Sequence, residues 1–589
     1  MPCTSAPLLD RYFWLAILLT TIIVIPRSIL ITQAHSPTMD EQTHLRIGLS
    51  NLLGNPSGMI NTANDAPLGQ MISALPMLMT GCNPAKPMNP ATSPPHPLAS
   101  DNPNLPMSSR PPPALAKRLR TARHEVVFGN SLPPDTLLML IAIWKAVLFI
   151  PAAGLVFHWC RRLYGLPSGW LGLAMLLIDP TFAAYIPMAT PDVLAVEGIL
   201  FACYFAWRLM DRPASKIFLF TTAFFCASAL LMKLTTIILP GVVAALTMIY
   251  WGREKFRISR LRHRLNILFG LAILTAVFIW AMTGFDVSIP GRWIPAPAHV
   301  AGFSFYNNIL YPSFQHRWPA GHFIQILVSG FTINASDRWA YLFGHARRGG
   351  WWYYFPAIAL YKIPLGFFVI FALAIWSLVR WRPRFEEWSL LLPMLAWCLM
   401  LMFLTHINTG FRHFLPAYVF ILMLASRAVV RVGAMIQSIA WLSLAGSFAH
   451  VLTYHPDYLS YFNRPVATPW LICNDSNIDW GQGLKEVRQW LDDHPTHEQP
   501  VYLRYDWDPV WIDYYLHNRV QRVTEFGPEP RHGLLIICPV WVAGYWDPMD
   551  TYGYLRTQNP IAIIGHSMLV YDLDHLSKAP KMPAWKVHR

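Results

Sequence analysis

Residues 11–32 read RYFWLAILLTTIIVIPRSILIT, and just beyond them residues 39–44 read MDEQTH. The first stretch is apolar for long enough to cross a bilayer as a helix, which takes about 20 residues. It is longer than the apolar part of a secretory signal and has no A-x-A cleavage site, so it is expected to stay as a helix. The second stretch puts two carboxylates and an imidazole at the mouth of that helix.

Working outward, similar runs recur at 137–158, 168–188, 192–209, 216–234, 235–251, 265–284, 353–378, 387–405, 413–427 and 433–453, which gives eleven candidate spans. Composition agrees: 54% of the 589 residues are hydrophobic and 13% are charged, against about 25% charged in an ordinary soluble protein. Too few charges remain to solvate a globular surface, so most of the surface is expected to face lipid. The 25 tryptophans and 23 tyrosines suit membrane interfaces. The net charge of +14 does not point to nucleic acid, because the basic residues fall in short clusters between apolar runs. Lys233 interrupts a long apolar run and reads as a turn between two helices rather than a charge in mid-membrane.

The basic clusters order the spans. Arg161 and Arg162 follow the second; Arg208, Arg212 and Lys216 the fourth; Arg253 to Arg264 the sixth; Arg380, Arg382 and Arg384 the eighth; Arg427 and Arg431 the tenth. By the positive-inside rule the N-terminus is cytoplasmic and the C-terminal tail lies outside, in a multi-pass protein of the plasma (inner) membrane. Two large loops, 33–136 and 285–352, share the outer side with the tail. The first is proline-rich from about 84 to 113, and its apolar segment 66–80 reads as a helix lying in the interface. The fold class is therefore a polytopic α-helical membrane protein of about 11 helices, divided into a transmembrane part, 1–454, and a small α/β extracytoplasmic domain, 455–589. In the tail, 483–492 places Leu484, Val487 and Leu491 on one helical face, and 501–507, 534–542 and 561–573 read as strands. The eight cysteines have no metal-like or redox spacing, and whether Cys473 and Cys538 pair stays open.

The acidic pair is the sharpest chemical feature. A transferase acting on a hydroxyl needs a base, and Asp40 could be one; Glu41 could hold an acceptor or a cation, and His44 could contact a phosphate. Read locally, the pair is more simply the ordinary start of a solvated loop, because two adjacent acids are a weak motif.

Residues 454–488, YHPDYLSYFNRPVATPWLICNDSNIDWGQGLKEVR, resemble a stretch found in bacterial members of the dolichyl-phosphate-mannose–protein mannosyltransferase-like family, of the GT-C class. DEQTH (40–44), RRLYG (161–165), ATPDV (189–193), YLFGHARRGGWWYYFPAIALYKIPLG (341–366) and NTGFRHFLPAY (408–418) follow the same family order, so the resemblance covers nearly the whole chain. It implies an inverting glycosyltransferase that takes a hexosyl or pentosyl group from a polyprenyl-phosphate-linked donor. The acceptor would be a protein, glycolipid or polysaccharide hydroxyl. By the same resemblance Asp40 and Glu41 are the catalytic pair, and Asp192, with His44, shapes the acceptor pocket. Arg412 and His413 hold the lipid phosphate, with Arg347, Arg348 and Lys362 as further candidates. Each of these cations has a plainer reading as a snorkelling interfacial residue. The chain departs from the family at 64–68, where NDAPL replaces a usual His-Pro-Pro.

Asp506-Trp507-Asp508 and Asp572-Leu573-Asp574 spell a metal–nucleotide motif, but both lie in the outer tail and read as structural, as does the turn-rich 475–482. Asn334-Ala335-Ser336 spells a glycosylation sequon, frequent by chance. No ATP, NAD or zinc-protease motif occurs, no cofactor is implied, and a divalent cation stays open, with no ligand set beyond Glu41 and nearby histidines. The alternatives are a lipid-linked sugar flippase, for which repeated halves and mid-helix charges would be expected, and a non-catalytic scaffold.

Overall fold

The computed structural model describes residues 10–53, 66–81, 127–128, 130–252, 258–290, 311–335, 338–495, 499–505, 508–524, 529–545, 547 and 549–576. The proline-rich 84–113 and Asp506 lie outside these residues, as do Asn64, Asp65 and Ser336.

Helix α1 (Arg11–Ala34) shows the solvent it is built for. Its buried residues are Ala16, Thr20, Val24, Ser28 and Ile31, whereas Trp14, Leu15, Leu18, Leu19, Ile22, Ile23 and Leu30 are exposed. Small side chains face the protein and large apolar ones face out, the inverse of a soluble helix and the arrangement expected against lipid. The small face lets α4 (Pro134–Tyr164) approach closely: a Cβ on its Gly154 would lie 2.6 Å from Ile17. Among the described residues, seven helices are long and apolar enough to cross a membrane, or eight if one bent pair counts as a single span. The chain is a multi-pass membrane protein.

Helices α2 (Glu41–Leu52) and α3 (Pro67–Met79) lie between α1 and α4 in the chain. They pack so tightly that a Cβ on Gly48 would meet the Gln70 carbonyl at 2.1 Å. After α4 come α5 (Leu166–Ile178), α6 (Pro180–Tyr185), α7 (Asp192–Asp211), α8 (Lys216–Met232), α9 (Leu239–Gly252) and α10 (Ile258–Met282). The short strands β1 (Val287–Ser288) and β2 (Trp318–Pro319) precede α11 (Gly321–Ala335), and β3 (Trp339–Leu342) and β4 (His345–Arg348) form an antiparallel hairpin. Then follow α12 (Tyr354–Lys362), α13 (Leu365–Arg380), α14 (Trp388–Phe403), α15 (Leu415–Ala425) and α16 (Ala434–Leu452).

Three of the eleven expected spans are shorter than a bilayer crossing. α5 has 13 residues, α8 has 17 and α15 has 11. The expected span 168–188 breaks at Asp179-Pro180, where Asp179 caps α6 by accepting the Phe182 N–H at 2.9 Å. The span 353–378 is the bent pair α12–α13, turned through 116°, because Pro364 cannot continue the hydrogen-bond ladder.

The described basic clusters after the second, fourth, eighth and tenth expected spans gather at one end. There Arg161 holds Asp10 with two bonds of 2.7 and 2.5 Å, Arg208 pairs with Asp211 at 2.5 Å, and Arg427 pairs with the fully buried Glu387. The N-terminus of α7, Asp192, lies at the other end, and so does the segment that follows α1.

Residues 455–483 are a series of short turns packed over that second end. They lead into α17 (Leu484–Asp493), which buries Leu484, Val487 and Leu491 on one face, each worth about 1.5–3 kcal/mol. Its start is capped from a distance: Ser36 Oγ accepts the Leu484 N–H at 3.2 Å. Strands β5 (Val501–Arg504), β6 (Gln521–Arg522), β7 (Leu534–Ile537), β8 (Ala562–Ile564) and β9 (Met568–Asp572) form one sheet in the order β6-β5-β7-β9-β8. α18 (Pro509–Leu516) joins β5 to β6, which run parallel. The expected strand 534–542 stops at Cys538, because Pro539 opens a short helix over Pro539–Val542. The expected strand 561–573 is two strands folded back as a hairpin. Cys473 and Cys538 are buried and are not joined in a disulfide.

Candidate functional site

Asp40 takes the N-cap position of α2 without capping it: its side chain makes no bond to the helix start. The carboxylate is 46% exposed and its Oδ2 lies 3.6 Å from Arg412 Nη1. The backbone around it is fixed on the other side. Ser36 donates its N–H to the Gln482 carbonyl at 2.9 Å and Met39 to the Trp480 carbonyl at 2.8 Å, so 36–39 lies along 480–482. Asp40 is thus placed precariously in charge but firmly in space, at the positive end of a helix and beside a cation.

Arg412 sits in a tight turn, Phe411–Phe414, that opens α15. Gly410 brings this turn against the 475–477 segment, since a Cβ there would meet Ser476 Oγ at 2.3 Å. Phe411 donates its N–H to Asn477 Oδ1 at 2.9 Å, and Ser476 Oγ donates to the Thr409 carbonyl at 2.6 Å. The guanidinium lies 3.8 Å above the Trp480 ring, and its buried Nε has no hydrogen-bond partner. Asp192, Tyr185, Asp40 and Asp475 all lie within electrostatic reach of it.

His413 continues the cluster. Its Nε2 is 3.2 Å from Thr409 Oγ1 and its Nδ1 is 3.5 Å from Lys233 Nζ. Lys233 is ion-paired with the buried Asp192. Lys233 does mark the turn after α8, as its interruption of the apolar run suggests, and in addition it is a member of the site.

Asp475 completes it. Its backbone is left-handed, with φ of +61°, an uncommon conformation for a non-glycine residue. Its Oδ1 accepts the Ser476 N–H at 2.6 Å. Burial pushes the Asp475 carboxyl up to about 6, against the opposing pull of Arg412. Asp40, Arg412, His413 and Asp192, all expected from sequence, therefore come together with Lys233, Asp475 and Trp480, which were not.

Other candidates lie elsewhere. Glu41 is buried, and its carboxylate accepts the Thr38 N–H at 2.6 Å, the Thr38 hydroxyl at 3.0 Å and the Ala189 N–H at 2.8 Å. Burial raises its pKa, and these bonds hold the start of α2 against the segment before Asp192. Oε2 takes two of these bonds and Oε1 one, so the contacts the structure gives Glu41 position the backbone around Asp40. His44 is buried against α3, with Nδ1 3.1 Å from Gln70 Nε2. Lys362 is not a phosphate ligand: its ammonium donates to the carbonyls of Leu459, Tyr461 and Asn477 at 2.9, 2.8 and 2.5 Å, which uses all three protons. Arg347 and Arg348 are exposed on β4, Arg348 stacked 5.2 Å from the Trp339 ring. From that hairpin it is Arg338 whose charge reaches His413.

Sequence reading passed over Asp475 and Trp480 because a run of Asp, Ser, Asn and Gly is ordinary turn chemistry. The one available signal was that a tryptophan and two aspartates are unusual in a stretch needed only to turn.

No protein-family model matches the sequence, and no curated protein does. Among solved structures the chain is similar to ArnT from Cupriavidus metallidurans bound to undecaprenyl phosphate, at 10% identity and a TM-score of 0.43, over 95% of this chain and 98% of that one. It is also similar to the Archaeoglobus fulgidus oligosaccharyltransferase in its apo form, at 12% identity and a TM-score of 0.42, over 86% of this chain and 64% of that one.

Proposed function

We propose that this protein is an integral membrane glycosyltransferase of the GT-C type. It moves a hexosyl or pentosyl group from a polyprenyl-phosphate-linked donor to an acceptor hydroxyl at the extracytoplasmic face, with inversion. The observation that carries this reading is Asp40: a half-exposed carboxylate with free lone pairs, 3.6 Å from Arg412, at the end of the bundle opposite the arginine-rich end. The family resemblance of 40–44, 408–418 and 454–488 agrees with it.

The chemistry needs few parts. Asp40 takes the proton of the acceptor hydroxyl as that oxygen attacks the anomeric carbon. The bond from that carbon to the phosphate oxygen breaks, and polyprenyl phosphate leaves with the electron pair. Arg412 stabilises the growing phosphate charge, with His413 and Lys233 beside it. A single displacement inverts the anomeric centre. Arg347 and Arg348 on the exposed hairpin meet the donor on its approach. Glu41 and Asp192 hold the pocket wall, Glu41 through the backbone and Asp192 through Lys233. The lipid phosphate delivers the sugar, which accounts for a sequence without a nucleotide motif. The tail 455–589 selects the acceptor, whether protein, glycolipid or polysaccharide, from outside an inner membrane whose cytoplasmic side holds the N-terminus.

The test is release of free polyprenyl phosphate by purified protein in lipid nanodiscs, offered a panel of polyprenyl-phosphate sugars. Turnover with at least one donor supports the reading. Movement of a donor across proteoliposomes without its cleavage would replace it with a flippase, and neither cleavage nor movement would leave a scaffold.

A further inference from the structure

A second cluster of ionisable groups lies where four parts of the chain meet, and the transfer chemistry does not use it. His35 ends α1, Asp457 lies in the turns after α16, Glu486 is in the first turn of α17, and His566 is in the β8–β9 turn. His35 Nε2 is 2.9 Å from Asp457 Oδ1 and 3.9 Å from Glu486 Oε1. One ligand atom from each of His35, Asp457 and Glu486 can be chosen so that all lie within 4.8 Å of one another. Among the described residues this is the single group of three such side chains so disposed. Asp457 Oδ2, the other oxygen, takes a 2.8 Å contact from His566 Nδ1.

Three further observations mark the place as built. Glu486 Oε2 is buried and has no hydrogen-bond partner. Gly565, with φ of +57°, makes room for it: a Cβ there would fall 2.0 Å from that oxygen. His566 adopts φ of +55°, uncommon for a residue with a side chain, to present its ring to Asp457. The Glu486 and Asp457 carboxyls share a hydrogen bond, so the cluster holds two acidic groups around one proton beside an imidazole, with one glutamate oxygen left without a donor, a place where a cation can take the proton's position.

We propose that His35, Asp457 and Glu486 bind one divalent transition-metal ion of the zinc class, with His566 orienting Asp457 from behind. The ligand set selects the metal: imidazole with two carboxylates suits zinc and its neighbours, whereas magnesium and calcium prefer oxygen alone. Tetrahedral zinc needs ligand atoms about 3.3 Å apart, given bonds of about 2.0–2.2 Å. The 3.9 Å gap from His35 to Glu486 has to close slightly, and the 2.9 Å contact from His35 to Asp457 opens as the metal replaces the shared proton. The role is structural. The metal ties the end of α1 to the C-terminal sheet, and residues 36–39, which run from His35 to Asp40, are bonded to 480–482. The ion therefore fixes the strand that presents Asp40 without touching substrate.

The experiment is equilibrium dialysis of untagged full-length protein in nanodiscs against buffered Zn2+, read by elemental analysis, so it does not depend on turnover or on the glycosyltransferase reading. One zinc per chain is expected. Glu486→Gln and His35→Gln are each expected to weaken binding tenfold or more, while Asp40→Asn keeps it. No zinc in the wild type, or binding unchanged in both variants, or binding lost in Asp40→Asn instead, overturns the proposal. If the variants do not give folded protein, Co2+ titration of the wild type decides: visible bands of a four-coordinate nitrogen–oxygen site at one equivalent support it, and the spectrum of hydrated Co2+ rejects it.

Discussion

Asp40 and Lys362 both carry a charge close to the same turn-rich segment, and the sequence offers both as site candidates, Asp40 as the base and Lys362 as a further phosphate ligand. In the structure they differ in one respect. Lys362 has given all three of its protons to carbonyls at 459, 461 and 477, and Glu41, next to Asp40, accepts three hydrogen bonds from Thr38 and Ala189. The Asp40 carboxylate bonds to nothing in its own helix cap and is 46% exposed, and Arg412 faces it with an unpartnered Nε. A charged group with every valence used holds a fold together, and one with valence to spare is available to a ligand. Residue type does not separate the two; the accounting of bonds does.

The sharpest way to break this comparison is at Asp40. Asp40→Asn is expected to lower kcat by about 10²–10⁴-fold, the usual worth of a general base, and to leave Tm within a degree or so, since no fold-holding bond is lost. A variant as active as the wild type would move the base elsewhere, with Asp475 next in line. A large fall in Tm would show that Asp40 belongs with the spent charges.

Lys362→Met makes the opposite prediction. Three buried carbonyls lose their donor, at a cost on the order of 3 kcal/mol. Tm is expected to fall by several degrees while the donor KM of the surviving folded protein stays as it was. A selective rise in donor KM would restore Lys362 as a phosphate ligand.

This contrast also explains how much the sequence could reveal. The apolar spans were legible because lipid demands long apolar runs and gathers arginines at one end, a constraint written locally. Asp40, Arg412, His413 and Asp192 were singled out by resemblance to a family, and the structure brings them together. What was hidden depends on pairs distant in the chain. Nothing near Lys362 announces carbonyls about a hundred residues away, and nothing near Glu41 announces the Ala189 N–H. Short spans were over-read for a related reason: the Asp179-Pro180 and Ile363-Pro364 breaks interrupt helices whose hydropathy runs on. Asp475 was overlooked because its aspartate is equally at home in a turn.

Arg412→Lys sharpens the comparison further. Lysine keeps the charge but loses the planar fork and its stacking over Trp480. Donor KM is expected to rise about tenfold, with kcat falling less, because a point charge still meets a phosphate. An equal loss in both would place Arg412 wholly in the transition state.

The smallest effect concerns Asp475, whose carboxyl is raised from 3.8 to about 6 by burial. Because the folded value is above the unfolded one, its contribution to stability is full below about pH 4 and is lost as pH rises through 6. The same titration acts on binding. Below pH 6 Asp475 is neutral and Arg412 is less neutralised, so an anionic donor binds better. The donor phosphodiester keeps its single charge across this range, which leaves the protein as the titrating partner. In the Asp40→Asn background, where the neighbouring carboxylate cannot titrate, donor affinity is expected to improve about two- to threefold from pH 7.5 to pH 5 as the charge opposing Arg412 is removed. Adding Asp475→Asn should flatten that dependence at the higher affinity. A slope that survives in the double variant would mean that Asp475 is only a turn residue, and that the charge facing Arg412 is not the one that tunes donor binding.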